Sequence, residues 1–102
     1  MNINNVKSIE FYKRLGNKTN KDGYYVKNDS LICRLSNKDS IINFYDDFIE
    51  NSIKEPAKFT AAYVVSFIAD TSYNLYINGS NRFNYKGDTF LMRKNISDFL
   101  KK

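Results

Sequence analysis

Cations and aromatic rings alternate in Arg82-Phe83-Asn84-Tyr85-Lys86. In an extended chain Arg82, Asn84 and Lys86 fall on one face and Phe83 and Tyr85 on the other. Arg93 and Lys94 follow closely, and Lys13, Arg14, Lys18 and Lys21 form a second basic group. Cations for phosphates beside rings for stacking is the chemistry of single-stranded nucleic-acid binding. The plainer alternative has Phe83 and Tyr85 in a core, with the cations solvating the other side. An opposite candidate is acidic. Asp39, Asp46, Asp47 and Glu50 share one side of a helical pattern, where carboxylates imitate a phosphate backbone and dock on a basic channel. Its plain alternative is a solvated outer face.

Other chemistry is excluded or weak. The chain has no His, so it has no Ser-His or Cys-His nucleophile pair, no imidazole acid or base and no His-ligated metal. One Cys permits neither an internal disulfide nor a zinc finger. Cys33 lies in Leu31-Ile32-Cys33-Arg34-Leu35 and reads as a small buried residue of a reducing compartment. Asp46 and Glu50 sit on one solvated helix face, too few converging oxygens for a metal and too exposed for a raised pKa. Gly16-Asn17-Lys18-Thr19 is not a phosphate-binding loop, because the second glycine before the Lys is missing. Arg82, Tyr85, Lys86 and Arg93 are residue types with which a small ribonuclease toxin works without His, by stabilising phosphate charge. No catalytic residue, metal or cofactor is expected.

The elements that must position these groups are short. Val6, Ile9, Tyr12 and Leu15 recur at helical spacing before Gly16, which predicts a helix over 5–15. A polar loop over 16–23 and a hairpin follow, with strands Tyr24–Lys27 and Ser30–Leu35 around Asn28-Asp29. Ser36 with Asp39 resembles a capping box opening a helix over 39–54, which Pro56 ends. At 100° per residue Ile41, Ile42, Tyr45, Phe48, Ile49 and Ile53 form its apolar side, opposite Asp39, Asn43, Asp46, Asp47 and Glu50. Residues 58–70 are apolar on every face as a helix and on one face as a strand. The β-branched Val64, Val65 and Ile68 favour strand. Asn78-Gly79 and Gly87-Asp88 punctuate three further strands into a meander, and 95–102 closes the chain as a short helix.

The pattern predicts one compact α+β domain over residues 1–102: an N-terminal helix, a β-hairpin, an amphipathic helix and a C-terminal antiparallel β-meander. Its formal charge of +5 is segregated: residues 1–38 carry +5, 39–70 carry −4 and 71–102 carry +4. The opening MNINNVKSIE has no apolar stretch typical of a secretory leader, and no apolar run approaches a membrane span, so a cytoplasmic protein without membrane partners is expected.

Asn is unusually frequent, with 14 residues, and Lys and Ile are abundant, as codon choice in an AT-rich genome produces. In size and composition the chain resembles small proteins of phages and mobile elements of AT-rich bacteria. The leading expectation is a small non-catalytic inhibitor, anti-defence or anti-CRISPR-like. It would occupy the surface of a protein partner, such as a nucleic-acid-handling complex, through Asp39, Asp46, Asp47 and Glu50. The alternative is a nucleic-acid-binding module using Arg82, Lys86, Arg93 and Lys94 with Lys13, Arg14, Lys18 and Lys21. A ribonuclease toxin ranks third.

Overall fold

Residues 2–19 and 25–100 are described by a computed structural model, the side chains of 16–19, 25–26 and 28–29 excepted. A short 3₁₀ turn at Ile3–Asn5 precedes β1 (Ser8–Thr19), which pairs antiparallel with β2 (Tyr25–Leu35). Helix α1 (Lys38–Phe44) continues directly into a π-helical segment, Tyr45–Glu50. Strands β3 (Ile53–Lys54), β4 (Tyr63–Ile68), β5 (Tyr73–Ile77), β6 (Arg82–Tyr85) and β7 (Asp88–Leu91) follow, then α2 (Ile96–Leu100). All the strands join one antiparallel sheet in the order β2-β1-β4-β5-β6-β7-β3. The result is a small α+β domain with a seven-stranded sheet and its helical layer on one face.

The predicted helix over 5–15 is instead strand β1. Helical spacing of Val6, Ile9, Tyr12 and Leu15 leaves Phe11 about 200° from Ile9, on the solvent side. In the fold both Ile9 and Phe11 are fully buried. They sit opposite Phe67 and Val65 of β4, with Glu10 and Tyr12 on the other face. Strand pairing on both edges and the aromatic and β-branched residues of β1 outweigh the chance helical period. The loop expected over 16–23 starts as strand through Thr19, and residues 20–24 lie outside the described residues. The hairpin expected around Asn28-Asp29 is instead the single strand β2, because pairing with β1 carries the backbone through these residues and a bulge between Lys27 and Leu31 takes up the extra length.

The amphipathic helix is present but shorter and turned relative to its expected face. Asn37, rather than Ser36, caps it: its Oδ1 accepts from Asp39 N at 2.9 Å and Ser40 N at 3.2 Å. Buried positions are Ile41, Phe44 and Phe48, while Ile42, Tyr45 and Ile49 are half-buried. Phe44 is the hub. Its ring lies 5.1 Å from Phe11, 4.9 Å from Phe48, 5.3 Å from Phe99 and 6.3 Å from Phe67. The helix ends before Pro56, because the Ser52 hydroxyl and N–H both donate to the Ile49 carbonyl and the chain then leaves to pair with β7. Ile53 therefore sits in β3, 58% exposed, instead of on the apolar side.

Residues 63–68 are strand, and β4 is buried on both faces. Tyr63, Val65 and Phe67 pack under the helices, while Val64 meets Tyr76, Ala61 and Phe59 in a second, smaller cluster on the other face. The meander is as expected, with Ile77 opposite Phe83 and Tyr85 opposite Asp88. Its last turn is centred on Lys86-Gly87, one residue earlier than Gly87-Asp88. Both residues have positive φ, 52° and 89°, as a type I′ two-residue turn requires. The closing helix α2 buries Ile96 and lays Phe99 on Phe44 and Phe48. It is anchored where Ile96 N donates to the Ser80 carbonyl at 2.7 Å. No helix among the described residues is long and apolar enough to cross a membrane.

Candidate functional site

The outer side of α1 and the π segment carries Asp39, Asp46, Asp47 and Glu50, all exposed. Burying Ile41, Phe44 and Phe48 against the sheet turns these carboxylates to solvent. They are not electrically alike. Asp47 Oδ2 accepts from Lys94 Nζ at 3.1 Å, whereas no cation pairs with Asp39, Asp46 or Glu50 among the described residues. Glu50 is touched by the Tyr45 phenol, whose pKa is pushed up by burial and then by its hydrogen bond to that carboxylate.

A cleft of about 430 Å³ borders this face. Phe48 and Phe99 supply its aromatic lining, and Asp47, Arg93, Lys94, Asn95 and Asp98 its polar lining. It joins residues from the two rival sets, since Asp47 is acidic and Arg93 and Lys94 are basic. The Arg93 guanidinium reaches back to the residue that ends the π segment, with Nε donating to the Asn51 carbonyl at 3.3 Å.

The basic candidates divide into two groups. Arg82 is held by Glu55 through Nη2 at 3.1 Å. Lys86 is exposed in the β6–β7 turn, 5.3 Å from the Tyr85 ring centroid. On β1, Lys13 is exposed and Arg14 half-buried and engaged. Lys18 belongs to β1 with its side chain not described, and Lys21 lies outside the described residues. Strands β4 and β5 stand between β1 and β6, which puts the groups about 14 Å apart at the usual strand spacing. Phe83 is buried and Tyr85 packs on the same core, so the rings expected for base stacking serve the core instead.

Charge segregation along the chain is partly offset in space. Four of the five ion pairs among the described residues join different thirds of the sequence: Lys7–Asp70, Lys54–Asp88, Arg82–Glu55 and Lys94–Asp47. The fifth, Arg34–Glu10 at 2.8 Å, lies across β1 and β2. Sequence reasoning passed over this cluster. The Tyr12 hydroxyl donates to Glu10 Oε1 at 2.9 Å, and Lys27 Nζ lies 4.2 Å from the Tyr12 ring centroid. The hydrogen bond from Tyr12, then Arg34, holds the Glu10 carboxyl below its ordinary range, and the same bond pushes the Tyr12 phenol up. Alternation in Glu10-Phe11-Tyr12 was the available signal, hidden by the helical spacing.

Cys33 is half-buried opposite Phe11, and burial pushes its thiol up, away from thiolate chemistry. No group of three or more metal-ligating side chains occurs among the described residues. No protein-family model, curated protein or solved structure matches the chain.

Proposed function

We propose that this is a small non-catalytic binding protein that occupies a basic surface of a protein partner, using Asp39, Asp46 and Glu50. The carrying observation is their state: all three are exposed and free of cations among the described residues, while Arg82, Arg93 and Lys94 are engaged within the fold. An unpaired carboxylate face attracts a positive patch and guides its approach. The shifted groups support a non-catalytic reading. Glu10 is held low, and Tyr12, Tyr45 and Cys33 are held high, so each moves away from the neutral range that proton-transfer catalysis needs. The partner class is a protein with a cationic channel of the kind that holds a nucleic-acid backbone. An anti-defence inhibitor is its concrete form.

The test is charge reversal of Asp39, Asp46 and Glu50 to Lys in one variant, with affinity capture from host cells and competition by duplex DNA. The expected result is capture by the wild type that DNA displaces, loss of that capture in the variant, and a melting temperature within a few degrees of wild type. Undiminished capture by the folded variant overturns the proposal.

A further inference from the structure

A second cavity, of about 170 Å³, lies between the π segment and strands β5–β7. Its lining is Tyr45, Ile49, Ser52, Leu75, Tyr85 and the stacked pair Phe83–Phe90, whose centroids are 4.9 Å apart. We propose that it binds a neutral one-ring molecule carrying a single hydrogen-bonding group, of the phenol class.

Three independent observations lead there. The first is size and lining: an apolar cavity of about 150 Å³ accommodates benzene, and this one is slightly larger and walled by aromatic and aliphatic groups. The second is an orphaned polar atom. The Tyr85 hydroxyl is buried with no hydrogen-bond partner among the described residues, a state that folded proteins rarely leave uncompensated. Of the other hydroxyls of the lining, Ser52 donates to the Ile49 carbonyl at 2.6 Å, and the Tyr45 phenol is under the influence of the Glu50 carboxylate. One hydrogen bond therefore remains to be made, which sets the number of polar groups on the ligand. The third is the wall itself. A π-helical segment departs from the more stable α-helical pattern and recurs at functional sites.

The lining contains no ionic side chain. A carboxylate or ammonium would lose hydration there without a counter-charge, so the ligand is neutral.

The proposal is tested by titrating the full chain with phenol and with toluene, nearly isosteric probes that differ in the hydroxyl, and following backbone amide signals. Saturable shifts confined to 45–52, 75 and 83–90 are expected for both. Tyr85→Phe should raise the phenol Kd by about three- to tenfold relative to the toluene Kd, the loss of one hydrogen bond. Ile49→Phe, which fills the cavity, should abolish both titrations. The inference is overturned if neither probe gives saturable shifts at these residues. It is equally overturned if Tyr85→Phe weakens phenol no more than toluene, or if folded Ile49→Phe still binds both.

Discussion

Replacing Phe44 by Leu tests whether the helical layer is held by ring geometry or by greasy volume alone. Phe44 is 2% exposed and its ring has four aromatic neighbours within 6.3 Å, one edge-on and one stacked. An aromatic pair contributes about 0.5–1.5 kcal/mol beyond area burial. Four pairs sharing one ring do not add fully, so we expect the ring terms and the small void together to cost about 2–3 kcal/mol. For a domain of this length each kcal/mol moves the melting temperature by about 4–8 °C, which places the fall at roughly 10–20 °C. Thermal and urea unfolding read by circular dichroism measure it, with an unchanged m-value showing that the unfolding transition itself is the same. Phe90→Leu is the control, because Phe90 is half-buried and stacks on Phe83; it should lose about 1 kcal/mol. Equal losses in the two variants, or a Phe44→Leu loss below about 1 kcal/mol, refute the hub.

Glu10→Gln should lower stability by about 1 kcal/mol at pH 7, removing the ion pair with Arg34 and weakening the Tyr12 hydrogen bond. Folding holds the Glu10 pKa below its ordinary 4.5, so its contribution is present above that value and disappears as the pH falls through the folded pKa. Urea midpoints at pH 7 and pH 3 measure this, and a pH-independent difference refutes it. In the β6–β7 turn, Lys86→Asn should stabilise by about 0.5 kcal/mol, since Asn tolerates the positive φ of 52° better than Lys. Gly87→Ala should destabilise by about 1 kcal/mol through the backbone alone, because a Cβ there meets nothing within 4 Å. Thermal melts that rank the two variants the other way refute the turn assignment.

Legibility followed the range of the interactions. The meander was readable because turn chemistry is local: the Asn78 side chain accepts from Ser80 N and Arg82 N within its own loop, and Gly87 supplies the positive φ next to Lys86. β1 is ambiguous in sequence because helical and strand periods both fit its few apolar residues, and Phe11 discriminates only once β4 is known to lie opposite. The helix is legible in the sequence, but the face it buries is not. Phe44 stood at the margin of the apolar stripe, and its burial depends on Phe99, 55 residues later. The carboxylates were located correctly on the exposed side. Which of them keep no cation was not legible, since Lys94 reaches Asp47 only through the path of the C-terminal segment. For Tyr85, alternation puts its phenol on one face with Phe83, and where that face is the core a hydroxyl needs a partner or a use.

The acidic face and the cavity meet on one element, and the chemistry of that element keeps their tests distinct. In Tyr45–Glu50, Tyr45 and Ile49 turn inward to the cavity while Asp46 and Glu50 stay exposed. Reversing Asp39, Asp46 and Glu50 changes the outer field without replacing any residue of the lining. Removing the Tyr85 hydroxyl changes the cavity from the sheet side and leaves every carboxylate in place. Only Tyr45 belongs to both, since it lines the cavity and its phenol feels the Glu50 carboxylate. Coupling would require a ligand that displaces Tyr45 and a partner that grips Glu50, each then changing the other's affinity by the same factor. If the two sites prove independent, the Tyr45–Glu50 contact is structural, and either site can stand without the other.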